Sequence, residues 1–358
     1  MRLERLVARG FRNLSDLDRE LPAPGVAIMG SNGQGKTNLL EAIYYPVLFR
    51  SLHGASDAEV SGFGGPGFHV AAWVAGSGCE TAATWQIAGR RKRVTVGGAD
   101  VARLADALGH WVAVAFLPAD VALAAGAAAA RRQYLDRMLA LADREYLTAL
   151  SRYRAALAQR NSALRQNRVE LVQAFDLPLA RAGAAIVRAR REWTGRASAQ
   201  FSAELDDLGE TSAATLTYRG NAELADADAW PDALAAALPR DRGRGMSTVG
   251  PHRDDLRLDV GGRELRTFGS TGQQRSAAIA LKLVELETLT HARGTEPALL
   301  LDDVFAELDA GRQRRLADRL VRPDLRQVFV TAPRADELPD TMGLPVWTVS
   351  AGRVESAR

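Results

Sequence analysis

One stretch constrains the fold of this chain more than any other: Gly30-Ser31-Asn32-Gly33-Gln34-Gly35-Lys36-Thr37. It satisfies the pattern G-x-x-x-x-G-K-[ST] in full, in the context that gives the pattern mechanical meaning. Before it, Val26-Ala-Ile-Met29 is a continuous apolar run of the kind a buried strand shows. After it, Leu39-Leu40-Glu-Ala-Ile43 begins a helix. A strand that turns through glycines into a helix aims consecutive backbone N–H groups and a helix N-terminus at one point, a cradle for phosphate oxygens. Lys36 adds a compact charge for β- and γ-phosphates, where a planar guanidinium fits poorly. Composition sharpens the point. Of 46 Lys plus Arg only three are Lys (Lys36, Lys92, Lys282), so a retained Lys marks chemistry that Arg does not supply. The Thr37 hydroxyl is placed for Mg²⁺. An α/β protein binding ATP and Mg²⁺ is expected.

A second feature supports this. Ala298-Leu-Leu-Leu301 is an apolar strand pattern ending in two carboxylates, Asp302 and Asp303. Beside a P-loop, Asp302 is expected to hold the Mg²⁺ shell and Asp303 to polarise an attacking water. Further strands are expected at Leu3–Val7, Leu14–Leu21, in a meander between Phe68 and Val96, at Leu256–Val260 before a Gly261-Gly262 hairpin turn, and at Gln327–Val330. Gln273–Leu289 reads as a helix.

The middle differs. Ala127 to Leu177 is 51 residues without Gly or Pro. Its apolar positions from Leu135 to Leu164 keep helical 3–4 spacing. Pro178 is expected to break the run, and a similar stripe resumes at Leu179. Two long helices folding back on each other follow, as a projecting arm or an ordinary subdomain, with the segment 205–244 at their rim. The expected division is 1–115 and 246–358 as two parts of one head, with 116–245 as an inserted helical domain.

Other classes are constrained by composition. The net charge of +3 and pI of about 9.2 allow a local nucleic-acid patch without requiring one. Cys79 is the only cysteine, which excludes a disulfide framework and a Cys-based zinc site. With no signal-peptide layout and no apolar window of spanning length, a soluble cytoplasmic protein is expected.

Ser270-Thr271-Gly272-Gln273-Gln274-Arg275 opens a helix about thirty residues before Asp302. Locally, Ser270 is a helix N-cap and Gly272 a turn residue. The order P-loop, Ser-x-Gly-Gln, strand-end Asp pair, then Glu307-Leu-Asp309 nevertheless resembles the ABC-type ATPases. Within that class the chain resembles the RecF family of bacterial recombination and repair ATPases. The resemblance rests on Gly10-Phe-Arg-Asn-Leu14, the P-loop and its helix to Ile43, Phe116-Leu-Pro-Ala-Asp120, Arg131-Arg-Gln-Tyr-Leu-Asp136, Gly250-Pro-His-Arg-Asp-Asp-Leu256, Ser270–Arg275 and Leu301–Asp309. These cover nearly the whole chain, in order.

The resemblance implies an ABC-type P-loop head with an inserted, mostly helical second domain. It implies two heads dimerising around two ATP molecules, with Ser270, Gly272, Gln273 and Asp309 of one copy meeting the nucleotide held by the other. Arg12 and Asn13 are expected near that nucleotide. The implied activity is weak, DNA-dependent ATP hydrolysis used as a switch on gapped DNA and single-strand/double-strand junctions. The implied partners are RecO and RecR, in loading RecA and supporting the SOS response. Departures exist: Asp303 stands where transporters carry Glu, which implies slow turnover, and Thr331-Ala332 replaces their switch histidine. Phe49–Gly54 is less basic than the family pattern, and Gly126–Arg131 lacks the Pro expected before the arginine pair.

The residues expected to contact DNA are Arg90-Arg91-Lys92-Arg93, although a charge run of four residues is more often a solvated hairpin. His252–Asp255 reads as a metal or catalytic cluster, or as a structural ion-pair network. The rival function is a nucleotide-binding subunit of another ABC-type system, such as a transporter. Ser-Thr-Gly-Gln-Gln and the helical insertion speak against it. About 50 helical residues cannot make the arm of a structural-maintenance ATPase, and a kinase or GTPase leaves Ser270–Arg275 without a role.

Overall fold

Gly25–Met29 is buried at every position, as an apolar run without alternation requires of a strand covered on both faces. In the computed structural model this strand lies inside a six-stranded sheet. The order is Arg353–Ser356, Val346–Ser350, Gly25–Met29, Val328–Ala332, Ala298–Asp302, Ala113–Phe116. All neighbours are parallel except the outer hairpin of Val346–Ser350 with Arg353–Ser356. Parallel register brings the carboxyl ends of three strands to one edge: Asp302 pairs with Thr331, and Thr331 with Ile28. That edge is where the P-loop leaves Met29. In open parallel sheets, ligands bind at the carboxyl ends of the strands.

The structure describes residues 1–76, 80–305, 310–320, 326–334, 337–338 and 342–356. Cys79 and Asp309 lie outside them. Two compact units form, Met1–Ala119 with Leu289–Arg358, and Asp120–Thr288. The first also holds an antiparallel sheet, ordered Leu17–Glu20, Leu3–Arg9, Gly67–Val74, Glu80–Gln86, Arg91–Val96, Ala99–Asp100. The meander expected between Phe68 and Val96 forms its centre.

In the second unit the 22-residue helix Arg144–Arg165 packs on the 32-residue helix Asp176–Asp207. The Gly- and Pro-free run is broken three times within itself, at Asp143, at Gln166–Arg168 and at Phe175. Asp143 caps Glu145, and Asn167 takes a left-handed φ of 54°. Pro178 breaks nothing: it occupies the third position of its helix, in the first turn, where its missing N–H has no intrahelical partner to lose. Ala214–Arg219 is a strand that the sequence did not reveal. It pairs antiparallel with Asp255–Val260, which turns through Gly261 and Gly262 into Arg263–Glu264. This sheet carries the unit past position 245 to Thr288. Among the described residues no helix is long and apolar enough to cross a membrane.

Candidate nucleotide-binding site

The P-loop leaves its strand at Gly30, φ 152°, where a Cβ would collide with the Val349 carbonyl. It enters the helix Lys36–Leu48 at Gly35, φ 113°, with the Asn13 side chain against its α-carbon. No side chain caps this helix and no acidic residue stands in its first turn. Its first N–H groups and the positive end of its dipole therefore stay directed at the loop. Ser31, Asn32 and Gly33 are exposed and Lys36 is buried. Lys36 Nζ donates to the Gly30 carbonyl at 2.7 Å and to the Ser31 carbonyl at 3.3 Å, with Asn32 Oδ1 at 3.5 Å.

The loop is braced from the far end of the chain. The Gln34 carbonyl accepts from Gly352 N–H at 2.9 Å, and Gln34 Oε1 accepts from Ala351 N–H at 2.7 Å. The Gly352 carbonyl accepts from Ser15 N–H at 2.9 Å. The hairpin at Ala351-Gly352 thus ties the P-loop to the loop that carries Arg12 and Asn13. Of that pair, Asn13 lies against the P-loop, its Oδ1 accepting from Asn38 Nδ2 at 2.7 Å. The Arg12 guanidinium is engaged elsewhere. It pairs with Glu41 through Nε at 2.7 Å and Nη2 at 3.1 Å, and donates to the Glu59 carbonyl at 3.0 Å. Glu41 is fully buried and also accepts from Ser51 Oγ. Burial favours its protonation, but the hydrogen bonds from Arg12 and Ser51 outweigh that and hold its carboxyl below the usual range.

Asp302, Asp303 and Thr37 meet at the strand ends. Asp302 Oδ1 accepts from Thr37 Oγ1 and from Thr331 Oγ1, both at 2.9 Å. Asp303 takes a left-handed φ of 48°, and its N–H donates to Thr331 Oγ1 at 3.0 Å. A carboxylate residue rarely adopts that backbone without support, and Thr331 supplies it. Burial pushes the Asp303 carboxyl above its ordinary range and the charge of Asp302 adds to this, with Lys36 pulling the other way. Thr37 Oγ1 and the Asp302 carboxylate are hard oxygen donors beside a phosphate cradle, a set that fits Mg²⁺. Sequence reasoning registered Thr331 only as the replacement of a histidine. Its hydroxyl in fact links both carboxylates, and its signal was a Thr at the end of the neighbouring parallel strand.

In the second unit, Ser270 is a helix N-cap. Gln273 N–H donates to Ser270 Oγ at 3.2 Å, and Ser270 N–H donates to Gln273 Oε1 at 3.1 Å, a reciprocal capping box. Gln273 Nε2 reaches Glu210 at 3.1 Å. Gly272 lies in the same first turn, and Ser270 itself is exposed.

The side chains of Arg90–Arg93 do not share one environment. Lys92 donates to the Phe49 carbonyl and to both Asp57 oxygens at 3.0 and 3.1 Å, and Arg93 pairs with Asp100. Strand parity places Lys92 opposite Arg91 and Arg93. Arg90 and Arg91 remain exposed.

The segment Gly250–Asp255 forms a network of hydrogen bonds and ion pairs. Among the described residues no group of three or more His, Cys, Asp or Glu is arranged to hold a metal ion. His252 Nδ1 lies 2.6 Å from Tyr153 Oη and its Nε2 lies 2.9 Å from the Ser247 carbonyl. Asp255 takes a bidentate pair from Arg131 at 2.7 and 2.8 Å. The Pro251 carbonyl accepts from Arg190 at 2.8 Å.

A parallel P-loop sheet beside an antiparallel one, interrupted by a helical unit and ending in an Asp pair, defines an ABC-type ATPase head. The Smc head bound to the C-winged helix domain of ScpA shares this fold, with a TM-score of 0.57 at 16% identity. No protein-family model matches the chain. The DNA replication and repair protein RecF of Anaeromyxobacter sp. (strain Fw109-5) is 37% identical over 346 residues, covering 93% of both chains. That of Myxococcus xanthus (strain DK1622) is 34% identical, covering 97% of this chain and 96% of the relative. The solved structure of the recombination mediator protein RecF-ATP in the RecFOR pathway superposes with a TM-score of 0.92 at 29% identity, covering 100% of this chain and 98% of that one. The chain belongs to the RecF family of DNA replication and repair proteins.

Proposed function

We propose that this chain is an ATP-dependent DNA-binding protein of recombinational repair and replication-fork maintenance. The observation that carries this reading is the convergence of Lys36, Thr37, Asp302 and Asp303 on one sheet edge, joined by Thr331. Relatives described as RecF-ATP and RecF-ATPrS in the RecFOR pathway support it.

In this reading the backbone of Gly30, Ser31, Asn32, Gly33, Gln34 and Gly35 receives the phosphates of ATP, beside Asn13. Lys36 exchanges its loop carbonyls for β- and γ-phosphate oxygens. Thr37 and Asp302 hold Mg²⁺, which when bound offsets phosphate charge. Asp303, with its raised proton affinity, orients the attacking water and takes its proton. Ser270, Gly272, Gln273 and Asp309 of a second copy complete the site, so ATP holds a homodimer together and hydrolysis releases it. The head is formed from both ends of the chain, with a mostly helical domain inserted between them. The ATPase is weak and stimulated by gapped DNA or single-strand/double-strand junctions. RecO and RecR are the partners in assisting RecA loading and the SOS response, in the cytoplasm.

Light scattering of the purified protein, with and without ATP and gapped DNA, tests nucleotide, dimer and DNA dependence together. Ser270→Asp keeps an N-cap residue while placing a negative charge opposite the γ-phosphate. It is expected to leave ATP binding intact and abolish the ATP-driven dimer. Normal dimerisation of that variant with ATP would end the cross-subunit mechanism.

A further inference from the structure

Phe63 is fully exposed. It occupies the tip of a tight turn closed by Gly65 N–H to the Gly62 carbonyl at 3.0 Å, with Gly64, φ 73°, in the position that needs a left-handed residue. The turn is anchored at both ends. Gly62 N–H donates to the Gly10 carbonyl at 2.6 Å, and the Pro66 carbonyl accepts from Ile87 N–H at 2.9 Å. That second bond sets the turn beside the hairpin Ile87–Arg91, where Ile87 is 42% exposed. Arg90 and Arg91 are exposed there and make no side-chain hydrogen bond or ion pair among the described residues. Neither Ser61–Gly67 nor Gln86–Arg91 contains a carboxylate. An aromatic ring held out on an anchored turn beside two uncompensated guanidinium groups matches an unpaired nucleobase with its flanking phosphates. One π-face meets the base and the charges meet the backbone.

We propose that this turn and hairpin form a landing site for single-stranded DNA, in which Phe63 stacks on an unpaired base and Arg90 and Arg91 hold the adjoining phosphates. The proposal rests on the reading that the chain binds DNA, and adds which residues do so and which form of DNA they select. Lys92 gives the site a connection to the rest of its unit. Its ammonium lies 5.0 Å from the centre of the Tyr45 ring and bonds to Phe49 and Asp57, tying the arginine-bearing strand to the carboxyl end of the P-loop helix.

The test is fluorescence anisotropy of the full-length protein with ATP against labelled gapped duplex, oligo-dT and blunt duplex. Phe63→Ala is expected to weaken binding to gapped duplex and oligo-dT on the order of tenfold, the loss of one stacked base, and to leave blunt duplex unchanged. Phe63→Trp is expected to restore parental affinity. Replacing Arg90 and Arg91 by Ala is expected to lower the log–log salt slope for oligo-dT by roughly 1.4, the release of two single-strand phosphate contacts. Parental affinity of Phe63→Ala for gapped duplex, or an equal loss on blunt duplex, would overturn the site while leaving DNA binding as such intact. Failure of the parent protein to bind any of the three DNAs would instead overturn the functional reading, and the site with it.

Discussion

Replacing Arg12 by Ala separates two roles for this residue, as a brace of the P-loop helix or as a ligand of the nucleotide. Arg12 makes a bidentate pair with Glu41, whose side chain is fully buried while that of Arg12 keeps 20% of its surface in water. Removing the cation leaves a buried carboxylate with Ser51 as its remaining side-chain partner, a defect that costs about 3–5 kcal/mol in buried pairs. The partial exposure of Arg12 places this case at the lower end, about 3 kcal/mol. For a domain of this size that lowers Tm by roughly 6–12 °C. The pH dependence carries the sign. In the parent, the folded carboxyl of Glu41 is held below its unfolded value. Its stabilisation is full above the ordinary carboxylate range and fades only as pH falls below it. Without Arg12, burial dominates and the folded value rises above the unfolded one. The variant's penalty is then largest at neutral pH and shrinks as pH falls through that raised value. Urea denaturation at pH 7 and pH 5, with Glu41→Gln in the Arg12→Ala background as the second arm, measures both effects. The neutral Gln is expected to recover at least half of the loss. A penalty below about 1 kcal/mol, unchanged between the two pH values and accompanied by a collapse of ATP affinity, would refute the bracing argument and return Arg12 to the nucleotide.

Three further outcomes are expected. Asp303→Asn removes the group placed to orient the attacking water and is expected to abolish hydrolysis while leaving ATP binding in place, read by steady-state kinetics and calorimetry. Thr331→Val keeps the shape of the side chain but removes the donor to Asp302 and the acceptor for Asp303 N–H. It is expected to cost about 1–3 kcal/mol of stability and to lower kcat more than ATP affinity, read by denaturation and steady-state kinetics. Gly352, φ 77°, lies against the Asn13 backbone with no room for a Cβ. Gly352→Ala is expected to weaken ATP binding from a position outside the P-loop, measurable by calorimetry, by loosening the brace on Gln34.

What was legible in the sequence is what is locally encoded. Gly30–Thr37 and Ala298–Asp303 each carry strand, turn and chemistry within a few residues, so their meeting followed from one assumption, a parallel sheet. The partners that complete the site lie far away in the chain. Thr331 reaches Asp302 across 29 positions and Ala351 reaches Gln34 across 317, and neither pairing leaves a periodic trace. Ala214–Arg219 was hidden because a six-residue strand with alternating burial is too short to stand out beside an Ala- and Asp-rich stretch. In the run Arg90–Arg93 the sequence shows four consecutive charges but not their partners: in a strand successive side chains alternate between faces, and Lys92 turns to Asp57 while Arg91 stays exposed.

Lys92 is better explained by its residue type than by the charge run that contains it. The scarcity of Lys pointed to Lys36 as a site where a guanidinium does not serve. The other two lysines obey the same physics. Lys36 folds onto two carbonyls, and Lys92 onto a carbonyl and a carboxylate beside the Tyr45 ring. Lys282 is 1% exposed, with Glu285 as its partner and its ammonium 5.8 Å from the centre of the Tyr134 ring. A compact ammonium donates in three directions from one atom and fits a closed cage of oxygens, whereas a guanidinium needs a planar fork of acceptors. The chain also buries Arg131, Arg160 and Arg190, each fanned over several acceptors, whereas each Lys marks an inward-facing charge held by a compact set of oxygens. By that rule Lys92 belongs with the end of the P-loop helix, and the exposed charge of the hairpin without an internal partner among the described residues reduces to Arg90 and Arg91.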